Sequence, residues 1–109
     1  MLRAVYVRTL KEGVTDDQFI DAWMPEGLDR DAYKARVSVS HSTVHERETV
    51  TVFEFEGSPE NLLDALGELV RPDWRDRVAE VVESTTVETI YEDTAVYGHV
   101  DAPNLPQGS

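Results

Sequence analysis

The chain has 109 residues, with 22 Asp+Glu against 10 Lys+Arg, and so a formal charge of −12. That length allows one domain, expected over residues 1–100. The acidity argues against nucleic acid or an anionic membrane as partner, and the lack of Cys excludes disulfides and thiolate metal sites.

Residues 2–9 (LRAVYVRT) read as a strand, with Val5, Tyr6 and Val7 supplying β-branched and aromatic weight. Leu2, Ala4 and Tyr6 share one face, and Val5 and Val7 the other. The opening MLRAVYVRTL lacks the h-region and cleavage site of a signal peptide. No apolar run is long enough to span a bilayer, so a cytoplasmic setting is expected. Lys11-Glu12-Gly13 is a turn. Thr15 and Gln18 then have the spacing of a capping box, with Asp16 and Asp17 in the first turn, where the helix dipole favours negative charge. Phe19, Ile20, Trp23 and Met24 make an apolar stripe, and Pro25 and Gly27 close the helix.

A charged loop over 25–33 leads to a second strand, expected over 35–45, and a third over 48–56. They look like a hairpin whose turn type is not set by any Gly or Asn. Val50 and Val52 share one face of the third strand, and Phe53 begins the other, with Phe55. Ser58 as N-cap and Pro59 at the first helical position open the second helix. Its apolar face carries Leu62, Leu63, Leu66, Leu69 and Val70. Arg71-Pro72 interrupts it, because the residue before Pro avoids the α region, and helical spacing resumes at Trp74. Asp73 and Arg77 have the spacing of a favourable pair. A fourth strand is expected over 85–92. Residues 94–100 have strand character, and 101–109 are expected to be disordered. The order is β-α-β-β-α-β, an α+β ferredoxin-like fold with a four-stranded antiparallel sheet and both helices on one face.

Two helices cover only one sheet face, yet both faces carry apolar residues. A second copy is the simplest cover, so a homodimer packed through the sheet face is expected. The element order, the segment RTLKEGVTDDQFIDAW after the opening strand and the hairpin ending TVFEFEGSPENL resemble the dimeric α/β-barrel superfamily. Within it, they are similar to small proteins of the antibiotic-biosynthesis-monooxygenase type. The resemblance covers roughly residues 2–92. It implies a homodimer whose two sheets form a barrel, and a pocket between each sheet and its helices. Members of the superfamily include cofactor-independent oxygenases, haem-degrading oxygenases, isomerases and proteins of no known activity, so the fold does not select a function. Haem-degrading members use an Asn near the first strand and a His on the helical segment. Here the first strand has no Asn and residues 59–83 contain no His, which argues against that activity.

Chemistry-bearing residues are few. His41 and His45 would lie about 13 Å apart along one strand, too far to share a metal ion, and no metal site is expected. His41 either decorates the sheet or faces the pocket as an acid, base or hydrogen-bond donor. His99 lies in the tail. Trp23, Trp74 and Tyr91 either fill the core or line an apolar pocket for a flat ligand. Tyr6 and Asn61 are further polar candidates. Arg71, Arg75 and Arg77 read as a helix face whose charge neighbouring acids cancel.

Two functions are therefore expected. The first is a cofactor-independent monooxygenase of a small aromatic or polyketide-like compound, with His41, Tyr6 and Asn61 as its polar groups. The alternative is a non-catalytic homodimer of the same fold, structural or binding a small hydrophobic ligand.

Overall fold

The computed structural model describes residues 1–27 and 35–98. In chain order the elements are β1 (Leu2–Leu10), α1 (Asp16–Trp23), β2 (Arg36–His41), β3 (Glu48–Phe55), α2 (Pro59–Leu69), α3 (Trp74–Val81) and β4 (Val82–Glu92). The strands form one antiparallel sheet in the order β2-β3-β1-β4. This is the ferredoxin-like α+β arrangement, with the second helical region split in two.

Local chemistry explains the element ends. The Thr15 hydroxyl accepts from the Gln18 N–H at 3.1 Å, and the Gln18 side chain accepts from the Thr15 N–H at 2.9 Å. This is the expected capping box, and it starts α1. Ser58 caps α2 by accepting from the Asn61 N–H at 3.3 Å, with Pro59 next to it. Gly57 joins β3 to α2 at φ +142°, and a Cβ there would lie 3.0 Å from the Phe55 ring.

Several boundaries differ from expectation. The second strand stops at His41 rather than 45. Beyond it, the Ser42 hydroxyl accepts from the N–H groups of Val44 and His45, and this local turn draws the chain out of the ladder. His45 therefore belongs to the turn. β4 starts three residues early, because the extended Val82 both caps α3 and enters the sheet. Residues 94–98 are not a strand; before them, the Asp93 N–H donates to the Met1 carbonyl. His99, the tail 101–109 and residues 28–33 of the charged loop lie outside the described residues.

Alternation divides the sheet. Leu2, Ala4 and Leu10 of β1 are buried under the helices with Phe19, Trp23 and Leu62. The opposite face presents Val5 and Val7 of β1, Val50 and Val52 of β3 and Val87 of β4, all half-buried. None of these five valines packs against the helix-side core.

Candidate functional site

The alternation that buries Leu2, Ala4 and Leu10 also buries position 8, where the residue is an arginine. Arg8 is 6% exposed. Its guanidinium carbon lies 4.5 Å from the Tyr6 ring centroid and 5.7 Å from that of Phe19. Its Nε–H has no hydrogen-bond acceptor among the described residues. No carboxylate among them forms an ion pair with it. Glu88, opposite Tyr6 on β4, reaches it only through its field. Burial lowers the guanidinium below its ordinary pKa, but an arginine stays charged. Burial likewise raises the Tyr6 phenol, with the Arg8 charge pulling the other way.

Two further buried polar atoms share this condition. The Thr51 hydroxyl, on β3 opposite Tyr6, has no partner among the described residues, and neither does the Trp23 indole N–H at the end of α1. Phe53 ties these groups together, with its ring centroid 6.0 Å from Tyr6 and 5.5 Å from Trp23. Trp23 lies 6.3 Å from Phe19, which returns to Arg8. A buried polar group without a partner costs about 1–3 kcal/mol. Three around one aromatic cluster are costly for a core.

The residues that carry all three line one cleft of about 530 Å³ between the sheet and the helices. Small-molecule sites span roughly 300–1,000 Å³. Tyr6, Arg8, Thr51 and Phe53 form its floor. Leu63, Leu66 and Val70 of α2 and Trp74 of α3 form an apolar wall. Arg75, whose guanidinium carbon lies 4.6 Å from the Trp74 ring centroid, and Glu88 stand at the rim. The register of β4 against β1 shifts between Val7 and Arg8, so Thr86 is left out of the pairing there. Such bulges often re-aim side chains beside functional sites.

The break between α2 and α3 holds the wall in place. The Arg71 N–H donates to the Trp23 carbonyl at 2.9 Å. Its guanidinium meets Asp73 at 2.7 Å and Glu26 at 3.0 Å. The joint is thereby fastened to the end of α1, and Trp23 and Trp74 are fixed relative to each other. The expected Asp73–Arg77 pair is not formed, because Arg71 takes the Asp73 carboxylate and holds its pKa below the ordinary value.

Of the residues singled out from the sequence, Tyr6, Trp23 and Trp74 meet at the cleft. The other three do not. Tyr91, expected to line the pocket, lies on the opposite sheet face across from Arg3 and is 50% exposed. It pairs with an open-face residue, and the strand period fixes the rest. His41 lies at the end of the edge strand β2, in a separate groove, with its Nδ1 3.5 Å from Asp16 Oδ1. Asn61 is exposed in the first turn of α2 and contributes its backbone N–H to the Ser58 cap. Sequence reasoning missed Arg8 and Thr51. The alternation that placed Tyr6 inside places Arg8 inside as well, so that signal was present. No group of His, Asp and Glu suited to a metal ion occurs among the described residues. No helix among them is long and apolar enough to cross a membrane.

No protein-family model and no curated protein matches the chain. A solved structure of an uncharacterized NIPSNAP domain protein from Burkholderia xenovorans is similar, with a TM-score of 0.59 and 15% identity. The match covers 91% of this chain and 100% of that one. At that identity the likeness shows the ferredoxin-like α+β fold alone.

Proposed function

We propose that this protein binds a small, flat, largely apolar organic compound in the cleft between its sheet and its helices. One observation carries the reading: three buried polar groups from β1, β3 and α1 lack partners among the described residues, and the residues that carry them line one aromatic-walled cavity. A ligand bearing oxygen acceptors would satisfy them, and the wall of Leu66, Val70 and Trp74 would take its apolar body. We also propose that the protein works as a homodimer joined through the open sheet face.

The test is a thermal-shift and tryptophan-quenching screen of flat aromatic compounds, with haem included. At least one aromatic compound is expected to raise the melting temperature and quench emission. Trp74→Ala should weaken that binding about tenfold or more, the effect of losing a stacking wall. No shift from any flat compound at millimolar concentration would overturn the reading.

A second reading is the cofactor-independent monooxygenase. It is favoured by the same donors standing in a cavity with apolar walls, where they would stabilise a developing oxyanion. In it a ring CH₂ and O₂ become a ring C=O and water, through a carbanion of the substrate. Tyr6 and Arg8 would hold the oxygen, since His41 and Asn61 lie away from the cleft. Oxygen uptake with compounds that bind separates the two readings: binding without uptake leaves the binding function alone.

A further inference from the structure

We propose that the cleft selects an organic anion: a planar aromatic compound whose carboxylate oxygens sit on the Arg8 guanidinium. This rests on the reading of the cleft as a small-molecule site and names the chemical class that enters it.

The charge distribution is the first support. The chain carries 22 carboxylates against 10 Lys and Arg side chains, and ion pairs are plentiful on its surface. Arg3 alone meets both Glu54 and Asp93. Yet the most buried arginine among the described residues, Arg8, pairs with no carboxylate of those residues. A buried cation without a counter-ion is costly, so its presence calls for an anion from outside.

Donor chemistry is the second support. Guanidinium and indole N–H groups donate and never accept, and the Thr51 hydroxyl can donate as well. The complement to such a set is an acceptor with several lone pairs, and a carboxylate on an arginine fork is the strongest common form. Arg75 at the rim adds a second positive charge. A smaller cleft of about 330 Å³ is also lined by Arg8, Arg75 and Trp74.

The third support is shape. Tyr6 covers Arg8 on one side, and Phe53 and Trp74 line the cavity with rings. An aromatic body therefore meets aromatic walls while its charged end meets Arg8. Glu88 stands at the same rim and acts on Arg8 through space. It is the local competitor for that charge.

The experiment titrates the full chain with naphthoate and with neutral naphthamide, read by calorimetry and tryptophan quenching. Naphthoate is expected to bind about tenfold or more tightly than the amide, because a carboxylate meets the guanidinium as a full charge pair and on two oxygens, where the amide offers one neutral carbonyl. Arg8→Met should remove that preference, weakening naphthoate by far more than the amide, which loses only one bond to a neutral carbonyl. Arg8→Lys keeps the charge without the fork and should retain only part of it. Glu88→Gln should tighten naphthoate and leave the amide unchanged. Equal affinity of the two probes for the unaltered chain overturns anion selection and leaves the cleft a small-molecule site. Failure of both probes to bind overturns the cleft and this inference together. A preference lost in Arg75→Gln but kept in Arg8→Met overturns Arg8 as the seat. Should Arg8→Met not fold, the ratio of the two probes on the unaltered chain decides.

Discussion

Arg8 occupies a core position of β1 and, among the described residues, has rings around it but no acceptor for its Nε–H. Its contact with Tyr6 contributes on the order of 1–2 kcal/mol when desolvated. Burying an unpaired cation opposes that, and flexible apolar residues often replace buried charges without loss. Arg8→Met is therefore expected to leave stability unchanged or to raise it by about 1 kcal/mol, measured by urea unfolding. A loss above about 2 kcal/mol would mean that the guanidinium holds the fold through its ring contacts. Tyr6 gives a prediction in pH. Desolvation raises its phenol in the folded state, so the unfolded chain ionises first as pH rises. The contribution of Tyr6 is whole below the unfolded value of about 10 and declines as pH climbs past it. Thermal melts between pH 8 and 11 should fall more steeply for the unaltered chain than for Tyr6→Phe. Equal slopes would remove Tyr6 as the cause. At this scale the sequence was half legible. Tyr6, Trp23 and Trp74 could be named because aromatics on a periodic apolar face point inward. Thr51 could not be distinguished from any strand threonine, since its lack of a partner depends on what stands across the fold.

At the scale of elements, α1 carries two of the cleft's supports, Phe19 beneath Arg8 and Trp23 at its end. It has only eight residues, too short to persist without its cap and its packing. Thr15→Ala removes the hydroxyl that accepts from the Gln18 N–H, and is expected to cost about 1 kcal/mol in urea unfolding. Thr15→Ser, which keeps the acceptor, should cost at most a few tenths of that loss, and equal costs would locate the effect outside the cap. This box was readable from the sequence because it depends on residues three apart. The joint at Arg71-Pro72 was readable as a break, but its use was not. Three interactions fasten it to α1 and the residues just after it, through the Asp21 and Trp23 carbonyls and Glu26, and all three bridge residues far apart in sequence. The mistaken Asp73–Arg77 pair has a local cause: helical spacing pointed to Arg77, four residues on, while the turn at the joint brings Arg71, two residues back, to the Asp73 carboxylate at 2.7 Å. His41 shows the limit at a strand. Its sheet face was a question of register, and its distance from the cleft followed only from β2 lying at the edge away from β1 and β4.

For the whole molecule, the sheet has, among the described residues, one face under helices and one face of valines that no helix covers. Val5, Val7, Val50, Val52 and Val87 run across three adjacent strands, a contiguous apolar surface of the kind that marks an interface. At one end Arg3 is already neutralised by Glu54 and Asp93, so this surface does not call for a charged partner. Each copy would bring −12, and two would carry about −24. Attraction must therefore come from apolar burial, and added salt should strengthen association by screening the repulsion. Light scattering after gel filtration is expected to give twice the 12.3 kDa chain mass at micromolar concentration. Val52→Lys places a charge at the centre of that surface and should shift the population to monomer, while Leu63→Lys, exposed on the helix side, should not. Naphthoate binding in a Val52→Lys monomer would further show that each cleft is complete within its own chain. A monomeric unaltered chain, or a dimer indifferent to Val52→Lys but broken by Leu63→Lys, would place the contact elsewhere.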